Sequence, residues 1–141
     1  LTGKVVLGDA PAAEKPVAPE LVAAYEAIDR GDLDTAQAIY EKYLSEKPAD
    51  LDAKAGLAQV KLMKRLQAPE PGPNSELFAG ADRLLVGGDA PAAFNLLLDE
   101  FAVNFDARDA IRTRLLELFT LVGDSEEPVL AARRRLASLL F

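Results

Sequence analysis

At 141 residues, half of them hydrophobic, the chain is the size of one domain and can bury a core without cross-links. It holds no cysteine and no histidine, which excludes disulfides, thiol nucleophiles, histidine bases and nearly every zinc site. Its net charge of −7 opposes a phosphate backbone, so nucleic acid is not expected as a partner. No apolar run approaches the roughly 18 to 20 residues of a membrane span. Leu1 to Gly8 lack the basic start and apolar stretch of a signal peptide, so neither membrane insertion nor export is expected. The expected location is the cytoplasm. Leu1 in place of an initiating Met reads as the start of a fragment of a longer protein.

Residues 1–18, with Pro11 and Pro16 among small side chains and Pro19 following, read as a linker or arm from an upstream domain. Lys4 to Leu7 could form a short strand there. Residues 19–141 read as one helical domain. A first helix starts at Pro19, carries Leu21, Val22, Tyr25 and Ile28 at helical spacing and stops at Gly31. Asp32 or Asp34 caps a second, whose stripe is Ala36, Ile39, Tyr40, Tyr43 and Leu44 and which Pro48 ends. Asp50 precedes a third over 51–66, with Leu57, Ala58, Val60 and Leu66 apolar and Lys61, Lys64 and Arg65 among them. The stretch 68–74 contains Pro69, Pro71 and Pro73 and breaks the helical pattern. Ser75 is the expected cap of a fourth helix, bearing Leu77, Phe78, Ala81, Leu84 and Leu85 up to Gly87 and Gly88. Pro91 sits in the first turn of a fifth, with Ala93, Phe94, Leu97, Leu98 and Phe101 on its face. Asp106 is the expected cap of a sixth, with Ile111, Leu115, Leu118, Phe119 and Val122 in register before Gly123. Asp124 or Ser125 opens a seventh, with Pro128 near its start and Leu130, Leu136, Ala137, Leu140 and Phe141 apolar. The fold class is all-α, with about seven antiparallel helices.

Two segments share a spacing: Gly31, Ala36, Tyr40, Tyr43 and Pro48, and in part Gly88, Ala93 and Leu97. Gly allows a tight inter-helical turn, Ala lets two helix backbones approach, and the bulky residue one turn later fills the groove. The pattern resembles the second helix of a tetratricopeptide repeat (TPR) hairpin. The copies lie 57 positions apart, against about 34 in a regular array. The expected array is therefore an irregular α-solenoid, with the third helix belonging to a hairpin whose partner has been shortened into the Pro-rich stretch.

The C-terminal half carries the R-x-x-L-L-E-L-F pattern of Arg112 to Phe119 and the closing run Arg133, Arg134, Arg135, Leu136, Ala137, Ser138, Leu139, Leu140 and Phe141. These residues resemble the TPR region of the chaperedoxin family (YbbN/CnoX type), bacterial proteins in which a thioredoxin-like domain precedes TPR-like helices. The arginine-rich ending is most similar to an actinobacterial branch. The resemblance implies a cytoplasmic co-chaperone that holds unfolding clients and docks to a GroEL-type chaperonin through its last helix. With no thioredoxin-like domain in this chain, only the docking half of that function carries over. The alternative is a generic TPR scaffold of an unrelated bacterial complex.

Arg133, Arg134, Arg135, Leu136, Leu139, Leu140 and Phe141 are the candidate partner-binding residues. Leu136 and Leu140 are expected to face the core, and Leu139 and Phe141 to be the exposed anchors of a helix-in-groove contact. Tyr25, Tyr40 and Tyr43 either line a peptide groove or, as aromatic residues more often do, pack between helices. Asp99 with Glu100, and Glu126 with Glu127, read as solvated charge, because sequence neighbours diverge on a helix and no nucleophile or metal partner stands nearby. Arg108, Arg112 and Arg114 suit acidic peptide ends but lack the spread over several helices that such clamps use. No enzyme activity, cofactor or metal is expected. An apolar edge left by an irregular array would allow a homodimer.

Overall fold

The computed structural model describes residues 17–141. The arm expected over 1–18 falls almost wholly outside the described residues, and so does the strand considered at Lys4 to Leu7. Seven α-helices follow one another: α1 (Pro19–Asp29), α2 (Leu33–Glu46), α3 (Leu51–Gln67), α4 (Ser75–Val86), α5 (Ala90–Val103), α6 (Arg108–Val122) and α7 (Glu127–Leu140). A single 3₁₀ turn, Phe105–Ala107, precedes α6, and no strand occurs among the described residues.

The two repeated segments have the same turn. Gly31 donates to the Ile28 carbonyl and Asp32 to the Ala27 carbonyl; Gly88 donates to Leu85 and Asp89 to Leu84. This is the paired bonding that closes a helix on a left-handed residue. Gly31 and Gly88 take φ of 78° and 92°, and open space surrounds the position of an added Cβ at each. Backbone conformation, not crowding, therefore selects glycine at both. The following aspartate caps the next helix: Asp32 accepts from the Thr35 amide at 3.2 Å and Asp89 from the Ala92 amide at 3.1 Å. Asp32 is thus the cap, of the two left open by the sequence, and Asp89 is its counterpart after Gly88.

Other ends differ from expectation. Ser75 lies inside α4, and Asn74 at the cap makes no side-chain bond. Asn104, not Asp106, supplies the bond that starts the turn into α6, accepting from the Ala107 amide at 3.2 Å. An Asn four residues upstream of a helix is masked by the 3₁₀ turn between them. Neither Asp124 nor Ser125 caps α7, whose cap position is Glu126 without a side-chain bond; Asp124 is held by Arg133 instead.

α1 packs on α2, α2 on α3, and α4 on α5, while α6 contacts both α5 and α3 and α7 lies on α5. The Pro-rich stretch forms no helix, and α3 has α6 as its second neighbour in place of a hairpin partner of its own. Two apolar cores result. One gathers Leu21, Ala24, Ala36, Tyr40, Tyr43 and Val60 from α1 to α3. The other gathers Phe94, Leu97, Phe101, Ile111, Leu115 and Phe119 with residues of α4 and α7. The Phe94 and Phe119 rings meet edge-on at 5.0 Å, an arrangement worth about 0.5–1.5 kcal/mol beyond the area it buries.

Tyr40 and Tyr43 are buried between helices, whereas Tyr25 is half exposed on α1, so the three do not line one groove. Burial pushes the Tyr40 phenol from its ordinary 10.0 up to about 12, with the nearby Tyr25 and Asp52 adding to the effect. The folded state therefore keeps a proton that an unfolded chain releases near pH 10. Stability should be unaffected by this group below that pH and fall progressively as pH rises through the folded value. Urea midpoints measured from pH 9 to 12 should drop in the wild type and drop less in Tyr40→Phe; equal slopes would remove the assignment.

Candidate functional site

Along α7, Val129, Ala132 and Leu136 are buried and Leu139 packs against the second core. The buried ridge thus runs 129, 132, 136, 139. From Leu136, the residues three and four positions on diverge to opposite sides of the ridge, and the ridge takes Leu139. Leu140 is therefore 42% exposed and Phe141 fully exposed. This corrects the expectation in which Leu140 faced the core and Leu139 was an anchor. Leu130 also lies outside the buried ridge.

The three arginines of α7 are each committed to a carboxylate. Arg133 reaches Asp124 at 3.1 Å with its guanidinium 4.9 Å from the Phe119 ring centroid, and Arg134 reaches Glu127 at 3.1 Å. Arg135 spans to α5, donating to Asp99 at 2.7 Å and to Asn95 at 3.2 Å. Exposed pairs of this kind contribute about 0–1 kcal/mol each, so they orient the helix more than they hold it. The acidic pairs have the same kind of role. Asp99 and Glu127 hold arginines, and Glu100 accepts from the Asn104 amide group at 2.9 Å.

Arg108, Arg112 and Arg114 point to different places. Arg108 donates from Nε to the Phe101 carbonyl at 2.9 Å and is sandwiched between the Phe101 and Phe105 rings, at 4.4 and 3.9 Å. Arg112 is exposed, and Arg114 is buried.

Arg114 belongs to a cluster of charge that sequence reading missed. Arg65 of α3, 7% exposed, forks onto Asp82 of α4 through Nε at 2.8 Å and Nη2 at 3.1 Å. Its remaining nitrogen, Nη1, donates to Glu117 of α6 at 2.6 Å. Burial works to lower the Arg65 guanidinium, but the Asp82 hydrogen bonds and the Glu117 charge outweigh it and hold the group above its ordinary range. Arg114 fares less well. Burial, then the Arg65 charge, hold it below its ordinary range against the pull of Asp82, Glu117 and Glu70. Its Nη2 donates to Glu70 at 2.7 Å, while Nη1 stands 3.6 Å from Asp82. That Nη1 is the one buried side-chain polar atom without a hydrogen-bond partner among the described residues.

The signal for this cluster was present. Arg65 is seven residues after buried Ala58, Asp82 four after Phe78, and Arg114 three after Ile111. Each charge therefore stands in line with an apolar stripe. Facing it is a groove of about 990 Å³, between the α1–α2 turn, α3 and α6, whose walls include Gln37, Lys61, Lys64, Asp109 and Thr113. Lys64 of that wall is held by Asp34 at 2.6 Å and by Gln37 at 2.8 Å. A second cavity of about 560 Å³ lies under the Pro-rich stretch against α4. The described residues contain no cluster of His, Cys, Asp or Glu suited to a metal ion and no helix long and apolar enough to cross a membrane.

A family model described as a tetratricopeptide repeat matches residues 62–141, more than half of the chain. The matched part holds the second Gly-Asp turn, and the first, outside it, has the same bonding. Uncharacterized proteins of Mycobacterium bovis and of two strains of Mycobacterium tuberculosis are 31% identical over 136 residues. Each match covers 89% of this chain and 45% of the relative, so the chain spans less than half the length of the curated relatives it matches. No solved structure matches. The chain belongs to the tetratricopeptide repeat family.

Proposed function

We propose that the chain is a non-catalytic protein-interaction domain of a cytoplasmic, thioredoxin-like co-chaperone, holding clients and docking to a GroEL-type chaperonin through the last turn of α7. The observation that carries this reading is the exposure of Leu140 and Phe141 at the end of a helix whose preceding turns are fixed by Leu136, Leu139 and the Arg135–Asp99 pair. An anchored helix that presents two large apolar side chains suits the helix-in-groove mode of recognition. The actinobacterial resemblance agrees with relatives from Mycobacterium, and more than half of each relative lies outside the match, room enough for a thioredoxin-like domain. The groove between α2, α3 and α6 favours the second reading, a TPR scaffold of an unrelated bacterial complex.

The test must spare Leu136 and Arg135, which truncation from residue 135 would remove together with part of the core. Leu140→Asp combined with Phe141→Asp changes exposed groups only. Binding to a purified GroEL-type chaperonin should weaken by about tenfold or more with the melting curve unchanged. Equal binding by wild type and double variant would remove α7 as the docking element. Suppression of thermal client aggregation by the chain measures holding separately.

A further inference from the structure

We propose that Glu70 is the resident occupant of a carboxylate site anchored by Arg114, and that one acidic side chain of an extended partner peptide replaces it. The proposal rests on the chain being a protein-binding scaffold, but not on docking through α7.

The pair is lopsided. The Arg114 side chain is 9% exposed and Glu70, its only hydrogen-bond partner among the described residues, is 65% exposed. A buried cation is thus satisfied by a carboxylate reaching in from solvent, on a stretch that makes no helix. The Phe78 ring lies under the guanidinium at 4.4 Å and fixes its plane. One nitrogen of the fork, Nη2, holds Glu70, and the other, Nη1, has no hydrogen-bond partner among the described residues, the nearest Asp82 oxygen lying 3.6 Å away. Guanidinium groups favour two parallel bonds to one carboxylate, and Glu70 supplies one.

Glu70 also stands where the two cavities meet, since it lines both, as do Arg65, Phe78, Ala110 and Arg114. An extended segment that displaces Glu70 would therefore have a cavity on either side of the residue it places on Arg114. The charges set the number of acids the partner brings. Asp32, Asp34, Glu70, Asp109 and Glu117 line the larger groove with Lys61, Lys64, Arg65 and Arg114. Exchange of Glu70 for a single incoming carboxylate leaves that balance unchanged, whereas a run of acids would meet the remaining carboxylates.

Glu70→Gln removes the competing charge but keeps an oxygen able to accept from Arg114 Nη2, and a urea midpoint measured alongside checks that the chain is still folded. The probe is a labelled Ser/Gly peptide with one central glutamate, with a central-glutamine twin as control, measured by fluorescence anisotropy on the full chain. The Glu70→Gln chain should bind the glutamate peptide about fivefold tighter than wild type, as expected for removing one partly exposed ion pair. The glutamine twin should show no such gain, and the Nε–H resonance of Arg114 should shift on titration. Equal affinity for the two chains, or shifts confined to Lys61 and Lys64, would overturn the proposal. The Leu140→Asp, Phe141→Asp variant should bind the peptide as wild type does, which separates failure of this site from failure of α7 docking.

Discussion

Replacing Arg65 with methionine should destabilise the fold by about 3–5 kcal/mol, the usual cost of removing one partner from a buried ion pair. All three guanidinium nitrogens of Arg65 are engaged, two with Asp82 and one with Glu117. Methionine fills the space of the stem but leaves two carboxylates, 4% and 16% exposed, without their guanidinium, Asp82 keeping only the Arg114 Nη1 at 3.6 Å among the described residues. The damage falls at a seam. Arg65 belongs to α3, which contributes Ala53 and Val60 to the first core, while Asp82 and Glu117 sit on helices of the second. Urea unfolding of Arg65→Met should therefore show a lower midpoint and a shallower slope, as the half containing α1 to α3 separates from the rest before global unfolding. The charges as a set are a different matter. A variant with Arg65, Asp82, Arg114 and Glu117 all replaced by apolar residues of similar size should recover most of the loss, because it strands no charge. If Arg65→Met unfolds with the wild-type midpoint and slope, the cluster does not couple the two cores.

The contrast between what the sequence revealed and what it hid follows from the range of the interactions. Helix boundaries rest on local chemistry, such as Gly31 after α1, Pro48 after α2 and Asp50 before α3, and each stands where expected. Caps set by a longer local path, such as Asn104 acting across a 3₁₀ turn, were misplaced by two residues. The pairing of α3 with α6 is not local at all. It depends on Arg65 and Glu117, 52 residues apart, and a helical wheel shows only that each is a charge near an apolar stripe. At the end of α7, the spacing from Leu136 is equally compatible with Leu139 or Leu140 facing inward, and the second core accepts Leu139. Of the two leucines on that last turn, the one expected to be buried is thus exposed and the one expected to be exposed is packed. The Glu70–Arg114 pair needed the placement of the Pro-rich stretch against α6, which no pattern in the chain encodes.

Gly56 is a second position whose importance comes from a partner distant in sequence, and Gly56→Ala should destabilise the protein by about 1–2 kcal/mol. Two effects oppose each other. In a solvent-facing helix the change would stabilise by about 1 kcal/mol, since alanine is the better helix former. Here a Cβ would fall 2.6 Å from both Cε1 and the hydroxyl oxygen of Tyr40, well inside van der Waals contact. Tyr40 is 1% exposed and sits in the first core beside residues of α1 and α3, so its ring has no free direction to move. Overpacking of a closed core costs about 1–3 kcal/mol and exceeds the propensity gain. Gly56 therefore differs from Gly31 and Gly88, which are required by φ and have open space around them. A double-mutant cycle separates the two causes. Tyr40→Leu removes the ring atoms that the new methyl meets, so Gly56→Ala in that background should be close to neutral or mildly stabilising, giving a coupling of about 2 kcal/mol. Additive losses would mean that the α2–α3 approach is set by the backbone and not by the fit of Tyr40 over Gly56. The same cycle bears on the groove, because α2 and α3 carry Gln37, Lys61 and Lys64 on its wall. A methyl that wedges the two helices apart should also weaken the Lys64 contacts to Asp34 and Gln37, visible as a shift of the Gln37 side-chain amide resonance in Gly56→Ala that Tyr40→Leu reverses.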